Sequence, residues 1–256
     1  MRSNIVVDPI PPRVNIVYAQ DQVTLPTSIQ KLIDAFWESE LRKGKNYIKG
    51  EVFSVKRYTL NEEGLHVTLS KTDYAHYLYT LHHHDFAKQA FSCQVIYAAA
   101  MVQTSDHHFV IGQMAKHTAK ANRLQFVGGG IDAIDIINDE VDLAHNVLRE
   151  LYEELGVSTE QVETIQPQFL KTGGPQQAIS ILYDVKLALS ARELRDQYEK
   201  YIAALIAKGD KPEFSDLILL RNDKEMMEQF ITRNQQPKVD YLIPVLQKIM
   251  VEKIKM

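Results

Sequence analysis

Apolar positions along the chain switch between a two-residue and a three-to-four-residue period, and the switches mark the elements. Residues 1–26 alternate short apolar runs with prolines, which predicts strand and turn. From Pro26, Ile29, Leu32, Ile33, Phe36, Trp37 and Leu41 recur at helical spacing. Thr27 or Ser28 is expected to cap that helix, and Gly44 follows its end. EVFSVKRYTLNEEGLHVTL predicts a hairpin. Val52, Phe53, Val55 and Tyr58 lie on one side of the turn Asn61–Gly64, with Leu65, Val67 and Leu69 on the other. KTDYAHYLYTLHHHDFAKQ is aromatic and predicted helical.

A second set of elements begins near Phe91. CQVIYAAAMV and HFVIGQM are predicted strands flanking the turn TSDH. LQFV is a short strand running into Gly128–Gly130, and a loop then leads to a helix from about Asp139 to Leu155, ended by Gly156. QPQFLK and QAISILYDVKLAL are strands around TGGP; SARELRDQYEKYIAALIAKG is an amphipathic helix with Ser190 as cap. EFSDLILL is one more strand, and helical stretches at 223–233 and 239–253 close the chain. The pattern changes at 88–92. That divides the chain into an N-terminal extension, 1–90, and a main domain, 91–256.

Composition narrows the function. The 256 residues hold 33 acids against 29 lysines and arginines, a formal charge of −4, which gives no reason to expect a nucleic-acid or anionic-membrane partner. The single cysteine, Cys93, can form neither an internal disulfide nor a cysteine-based zinc site, which fits a reducing compartment. The opening MRSNIVVDPIPPR lacks the apolar core of a signal peptide, and no run approaches the roughly 18 apolar residues of a membrane span. The expectation is a soluble cytoplasmic protein. A homodimer is compatible with the sequence, which does not decide it.

The stretch RELYEELG, Arg149 to Gly156, holds three glutamates within five residues. At about 100° per residue, Glu154 lies near +40° and Glu153 near −60° from Glu150. Ala144, Val147, Leu148, Leu151 and Leu155 fill the neighbouring wedge, the natural core face. The acids therefore sit at a margin of the buried stripe, and Arg149 can pair with Glu153 four residues on. Alone, such a cluster is as readily a solvated helix face. A glycine-rich turn upstream, which lets backbone approach a ligand closely, makes it a plausible place for a metal and a diphosphate.

GGGIDAIDIINDEVDLAHNVLRELYEELGV resembles the signature of the Nudix hydrolases, G-x5-E-x7-R-E-U-x-E-E-x-G-U with U aliphatic. Arg149, Glu150, Leu151, Glu153, Glu154, Gly156 and Val157 match its second half. The resemblance covers roughly residues 91–256 and implies an α/β fold, the αβα sandwich with a mixed sheet, here with an N-terminal α/β extension. It implies a hydrolase that cleaves a nucleoside diphosphate linked to another moiety, using Mg²⁺ or Mn²⁺. Glu150, Glu153 and Glu154 would be the metal ligands, with Arg149 orienting a glutamate. Gly129 and Gly130 would shape the substrate turn. Glu213, before the EFSDLILL strand, is the candidate base or extra ligand, and is as readily a solvated loop acid. Arg123 and Lys116 could contact phosphate, and either is equally a surface cation. The chain departs from the signature in two places. Gly129 to Arg149 is six residues longer than the pattern, with AIDIINDEV carrying the extra loop, and Val141 stands eight before Arg149 where the upstream glutamate is expected, flanked by Glu140 and Asp142.

The N-terminal wording FWESELRKG, KGEVFSVKRYTL and VTLSKTDYAHYL is similar to the subgroup that includes the UDP-glucose diphosphatase of animals. That points to a UDP-sugar substrate and to residues 1–90 as the recognition region. ADP-ribose or another nucleoside diphosphate conjugate is the alternative substrate, and a nucleotide sensor without turnover is the alternative class. Elsewhere the plain readings prevail. Trp37 is a core anchor, Cys93 a small buried apolar residue, and His82, His83 and His84 surface histidines.

Overall fold

The computed structural model describes residues 4–253. In chain order the elements are β1 (Ile5–Pro9), β2 (Val14–Gln22), α1 (Thr27–Arg42), β3 (Glu51–Asn61), β4 (Gly64–Asp73), α2 (Tyr74–His82), β5 (Ile96–Gln103) and β6 (His108–Met114). They continue with β7 (Leu124–Gln125), β8 (Ile136–Ile137), β9 (Glu140–Val141), α3 (Leu143–Leu155), β10 (Val162–Gly173) and β11 (Ile179–Leu187). The chain closes with α4 (Ala191–Ala207), β12 (Phe214–Arg221), α5 (Lys224–Arg233) and α6 (Leu242–Lys253).

The strands form two mixed sheets. The larger runs β1-β10-β11-β5-β6-β12, with β7 added to β6; only β11 and β5 are parallel. The smaller runs β3-β4-β2-β9-β8, with β2 and β4 parallel. Side chains alternate across a strand, so β5 serves two cores at once. Ala98, Ala100 and Val102 pack with Val147, Leu151 and Leu155 of α3, Leu194 of α4 and Leu65, Val67 and Leu69 of the smaller sheet. Ala99 and Met101 face the other way, against Met227 and Phe230 of α5 and Leu242, Val245 and Leu246 of α6. The larger sheet is thereby covered on both faces, the αβα layering expected of the sequence.

The N-terminal residues are built into both sheets. β1 extends the larger sheet beside β10, with Val7 opposite Lys171. β2 lies between β4 and β9 in the smaller one. A third cluster, Ile33, Trp37, Ala75 and Leu78, joins α1 to α2, and Ala119 from the 115–123 loop packs against it. Trp37 and Cys93 are buried. His83 stacks on Tyr79 at 4.0 Å, and the ring of His82 lies 5.4 Å from that of Phe36. No helix among the described residues is long and apolar enough to cross a membrane.

Three local expectations change. The first helix has Pro26 at its N-cap with no side-chain cap, so neither Thr27 nor Ser28 fills that role. The helix expected from Asp139 starts at Leu143, because 139–142 are taken by the β8–β9 hairpin and the cap residue Asp142. The ladder pairing of LQFV covers only Leu124–Gln125; beyond it single bridges join Val127 to Ala100 and Gly130 to Tyr97.

The seam between β6 and β12 fixes where Glu213 ends up. Phe214, fully buried, aims its ring at Gly112, where a Cβ would fall 2.4 Å from three ring atoms. Gly112→Ala must therefore displace the ring that anchors the start of β12. It is expected to lose about 1–3 kcal/mol in urea denaturation. A loss below a few tenths of a kcal/mol would mean the seam yields without cost.

Candidate active site

The helix α3 begins where the Asp142 carboxylate accepts the His145 N–H at 2.9 Å. It stops at Gly156, whose φ of +68° is left-handed, in close contact with the Tyr201 ring. Between these ends Asn146, Glu150 and Glu154 form an i, i+4 row that lies within the buried face and not at its margin. Glu150 is 6% exposed and Glu154 2%, whereas Glu153 is solvent-facing.

Buried carboxylates are costly unless something compensates. Glu154 has one partner: its Oε2 accepts the Gly128 N–H at 2.8 Å, while its Oε1 is buried with none. Burial, then the negative charges of Glu213 and Glu150, push its pKa well above the ordinary value. Glu150 Oε1 lies 2.9 Å from Arg149 Nη2. Burial still raises its pKa from 4.5 to about 7; Arg149 opposes the rise, and Glu213 and Glu153 add to it.

The turn 128–130 is shaped to these acids. Gly128 has φ +140°, and a Cβ there would meet the Ala98 carbonyl oxygen at 2.3 Å. At Gly129 a Cβ would fall 2.4 Å from Glu150 Oε1, so only glycine lets the carboxylate lie against the backbone. Gly130 offers its carbonyl to Asn146 Nδ2 at 2.9 Å and to Arg149 Nη2 at 3.3 Å.

Arg149 is the hub. It reaches Asp135 through Nη2 at 3.1 Å and Nε at 3.4 Å, and Glu153 through Nη1 at 2.8 Å, the i, i+4 pair expected from the sequence. Asp135 is completely buried. It also accepts from Asn146 Nδ2 at 2.9 Å and the Asp132 N–H at 2.9 Å, and meets His145 Nδ1 at 3.0 Å. Burial alone would raise its pKa, but the bonds from Arg149, Asp132 and Asn146 hold it below the ordinary value.

This corrects the placement of the upstream acid. Val141 pairs with Ile136 in the β8–β9 hairpin, and neither Glu140 nor Asp142 reaches Arg149. The acid on Arg149 is Asp135, which stands six positions after Gly129, where G-x5-E puts its glutamate. The six extra residues follow it, in the hairpin. Counting forward from the glycine, and not back from Arg149, would have found it.

The other sequence candidates separate. Glu213 is electrostatically coupled to the two buried glutamates: its side chain is open to solvent, yet desolvation and the charge of Glu153 raise its pKa, with Lys120 opposing. Its carbonyl accepts the Ala115 N–H at 2.8 Å. Arg123 instead donates to the Lys238 carbonyl at 3.2 Å, and exposed Lys116 makes no hydrogen bond or ion pair with a described residue. The loop cation coupled to Glu213 and Glu154 is Lys120, half-buried, with its ammonium 5.6 Å from the centre of the Tyr97 ring. In AKHTAKANR three cations recur every three or four residues, and no local signal distinguishes the middle one.

The donor set suits a hard divalent cation of the Mg²⁺ kind. Among the described residues no three His, Cys, Asp or Glu side chains already converge as a complete ligand set. Mg²⁺ does not need one, since it is commonly held by one or two carboxylates with waters and substrate phosphates. Two adjacent buried glutamates, one with an unpartnered oxygen, supply that minimum.

No family model matches the chain, and no curated protein does. Solved structures do match in part. The MutT protein of Methanosarcina mazei Go1 is 17% identical over 62% of this chain and 95% of its own, with TM-score 0.40. A Nudix hydrolase from M. smegmatis, RenU, is 11% identical over 64% and 86%, with TM-score 0.39. A bifunctional NMN adenylyltransferase/ADP ribose pyrophosphatase of Francisella tularensis, complexed with AMP and a Mn ion, is 14% identical over 70% of this chain and 47% of its own, with TM-score 0.42. Likeness at this level says nothing of activity, which the carboxylate helix must carry by itself.

Two outcomes follow from the site's electrostatics. Asp135→Ala removes the fully buried partner of Arg149, leaving it Glu150, Glu153 and the Gly130 carbonyl, and is expected to cost up to about 3–5 kcal/mol, read from urea unfolding; a loss under about 1 kcal/mol would remove Asp135 from its anchoring role. For Glu150 the folded pKa of about 7 exceeds the unfolded 4.5, so the folded state binds the extra proton between those values. The cation-free protein therefore loses stability as pH rises through that window. From pH 4.5 to 8 the stability difference should move toward Glu150→Gln by at most about 3 kcal/mol. A difference independent of pH would contradict the raised pKa.

Proposed function

We propose that this chain is a metal-dependent hydrolase of the Nudix type that cleaves a diphosphate linking a nucleoside to another group, with a UDP-sugar as the preferred substrate. The observation that carries the reading is the pair of buried glutamates, Glu150 and Glu154, held against a glycine turn with an oxygen to spare. Support comes from the signature, whose acid, arginine and glutamates fall on Asp135, Arg149, Glu150, Glu153 and Glu154. A divalent cation held there by Glu150 and Glu154, with Glu153 as a further ligand, supplies charge neutralisation of the diphosphate and acidification of water.

The chain's own residues do the rest. Asp135 fixes Arg149, and Arg149 orients Glu150 and Glu153. Gly129 and Gly130 let the substrate approach the backbone. Glu213, open to solvent and with a raised pKa, takes the proton of the attacking water. Water oxygen bonds to one phosphorus as the bridging P–O bond breaks, leaving a nucleoside monophosphate and the phosphorylated second group. The UDP-sugar preference rests on the wording of residues 36–78. Recognition by the N-terminal residues is supported by Tyr74 and Tyr77 of α2, whose pKa values are raised by burial first and also by the charge of Glu213. Both tyrosines feel the charge of Glu213, which supports a role for α2 beside the site.

The test is turnover with Mg²⁺ or Mn²⁺ on UDP-glucose, ADP-ribose and diadenosine polyphosphates, with products identified. UMP plus glucose 1-phosphate is expected. Cleavage of ADP-ribose alone would replace the substrate, and tight binding with no turnover would make the protein a sensor. Glu154→Gln should remove turnover by orders of magnitude while the fold persists, and Glu213→Gln should lower it about 10²–10⁴-fold.

A further inference from the structure

Two lysines are coupled to Asp240, and they are used differently. Lys171 is 1% exposed and fully engaged. Its Nζ donates to the carbonyls of Gly173 at 2.9 Å and Ala178 at 3.1 Å, and pairs with Asp240 Oδ2 at 3.3 Å. Lys120 is half-buried, and its ammonium makes no hydrogen bond or ion pair with any described residue. An ammonium has three donors, and here all three are unspent.

Lys120 is nevertheless held in place from two sides. Its neighbour Ala119 packs against the α1–α2 cluster, and its ammonium rests over the Tyr97 ring at 5.6 Å. Tyr97 in turn bridges Gly130 through its backbone, so the residue supporting the cation also borders the glycine turn. Burial lowers the Lys120 pKa, while the charges of Asp240, Glu213 and Glu154 favour its charged form. Asp240 is already paired, and Glu154 is satisfied at one of its two oxygens. Asp240 pairs with Lys171, and Glu154 takes the Gly128 N–H.

We propose that Lys120 is a direct ligand of the diphosphate, donating to non-bridging phosphate oxygens, and that Tyr97 is its positioning residue. The assignment rests on the diphosphate reading of the site. A compact, unpaired ammonium beside a carboxylate site suits an anion that arrives with its own cation: the metal answers the glutamates and the lysine answers phosphate charge left over. A purely structural lysine would look like Lys171.

The probe is inorganic pyrophosphate with Mg²⁺, bound in calorimetry and as an inhibitor, with Mn²⁺ alone titrated in parallel. Lys120→Met is expected to weaken pyrophosphate binding about tenfold or more. The KM for the cleaved diphosphate should rise by a similar factor, with Mn²⁺ affinity and melting temperature kept. Lys120→Arg should recover part of the loss. Tyr97→Leu should weaken pyrophosphate severalfold, and Tyr97→Phe, which keeps the ring face, should restore it. Unchanged pyrophosphate affinity in Lys120→Met overturns the assignment alone. So does a joint loss of Mn²⁺ and pyrophosphate affinity, which would make the lysine a counter-charge for the glutamates. A protein that binds no pyrophosphate and cleaves no diphosphate overturns the diphosphate reading as well.

Discussion

The site depends on where one guanidinium goes. Arg149 could serve any of several acids on its own helix, and Asp135 settles the matter because it is completely buried and has Arg149 as its strongest donor. A buried carboxylate cannot release its cation without a large desolvation cost. With Arg149 committed to Asp135, its Nη2 is shared between Asp135 and Glu150 and its Nη1 goes to Glu153. The same clamp ties the turn at Gly130 to α3 through a shared carbonyl. One ion pair thus sets the helix, the turn and the orientation of two glutamates.

What this frame holds is an unfavourable arrangement. Glu150 and Glu154 share a buried face that disfavours their ionised forms, Arg149 offsets the cost only for Glu150, and the charge of Glu213, just before β12, adds to it. Nothing in the packing requires acids there, since leucines of the same helix fill the neighbouring positions. Protonation relieves that cost in the cation-free protein, and a ligand that binds the ionised form offsets it at higher pH. The glycines on the facing turn are part of the same accommodation, because any side chain at 129 would occupy the space of the Glu150 carboxylate.

Much of this was legible beforehand. The period changes located the strands and helices, and REUxEExGU located the helix with its acids. The Arg149–Glu153 pair followed from spacing alone. Two things were hidden, each for a physical reason. The inserted hairpin, β8–β9, separates Asp135 from Arg149 by thirteen residues, so a count backward from the arginine landed on Val141. The pairing is tertiary, and only burial of Asp135 reveals it. Lys120 was hidden because its role depends on Ala119 meeting the N-terminal helices and on Tyr97 meeting Gly130, contacts between segments far apart in sequence. Lys116 and Arg123 carry the same charge in the same loop, and what separates the three is where each side chain finds a partner.

The inserted hairpin has a structural use of its own. β9 pairs with β2, Val17 opposite Glu140, and the Tyr18 N–H donates to the Asp139 carbonyl at 2.8 Å. The insertion between the clamp acid and the clamp arginine is therefore the piece that fastens the smaller sheet to the start of α3. Lengthening a loop costs little chain entropy, and pairing its tip to a neighbouring strand offsets that cost. The acid at 135 and the helix cap at 142 are also joined directly, the Asp142 N–H donating to the Asp135 carbonyl at 2.8 Å. The loop closes on itself at its base, so its outer half can serve the N-terminal strands without loosening the clamp. That is why the hairpin between Asp135 and Arg149 does not disturb their pairing or the glutamates that Arg149 holds.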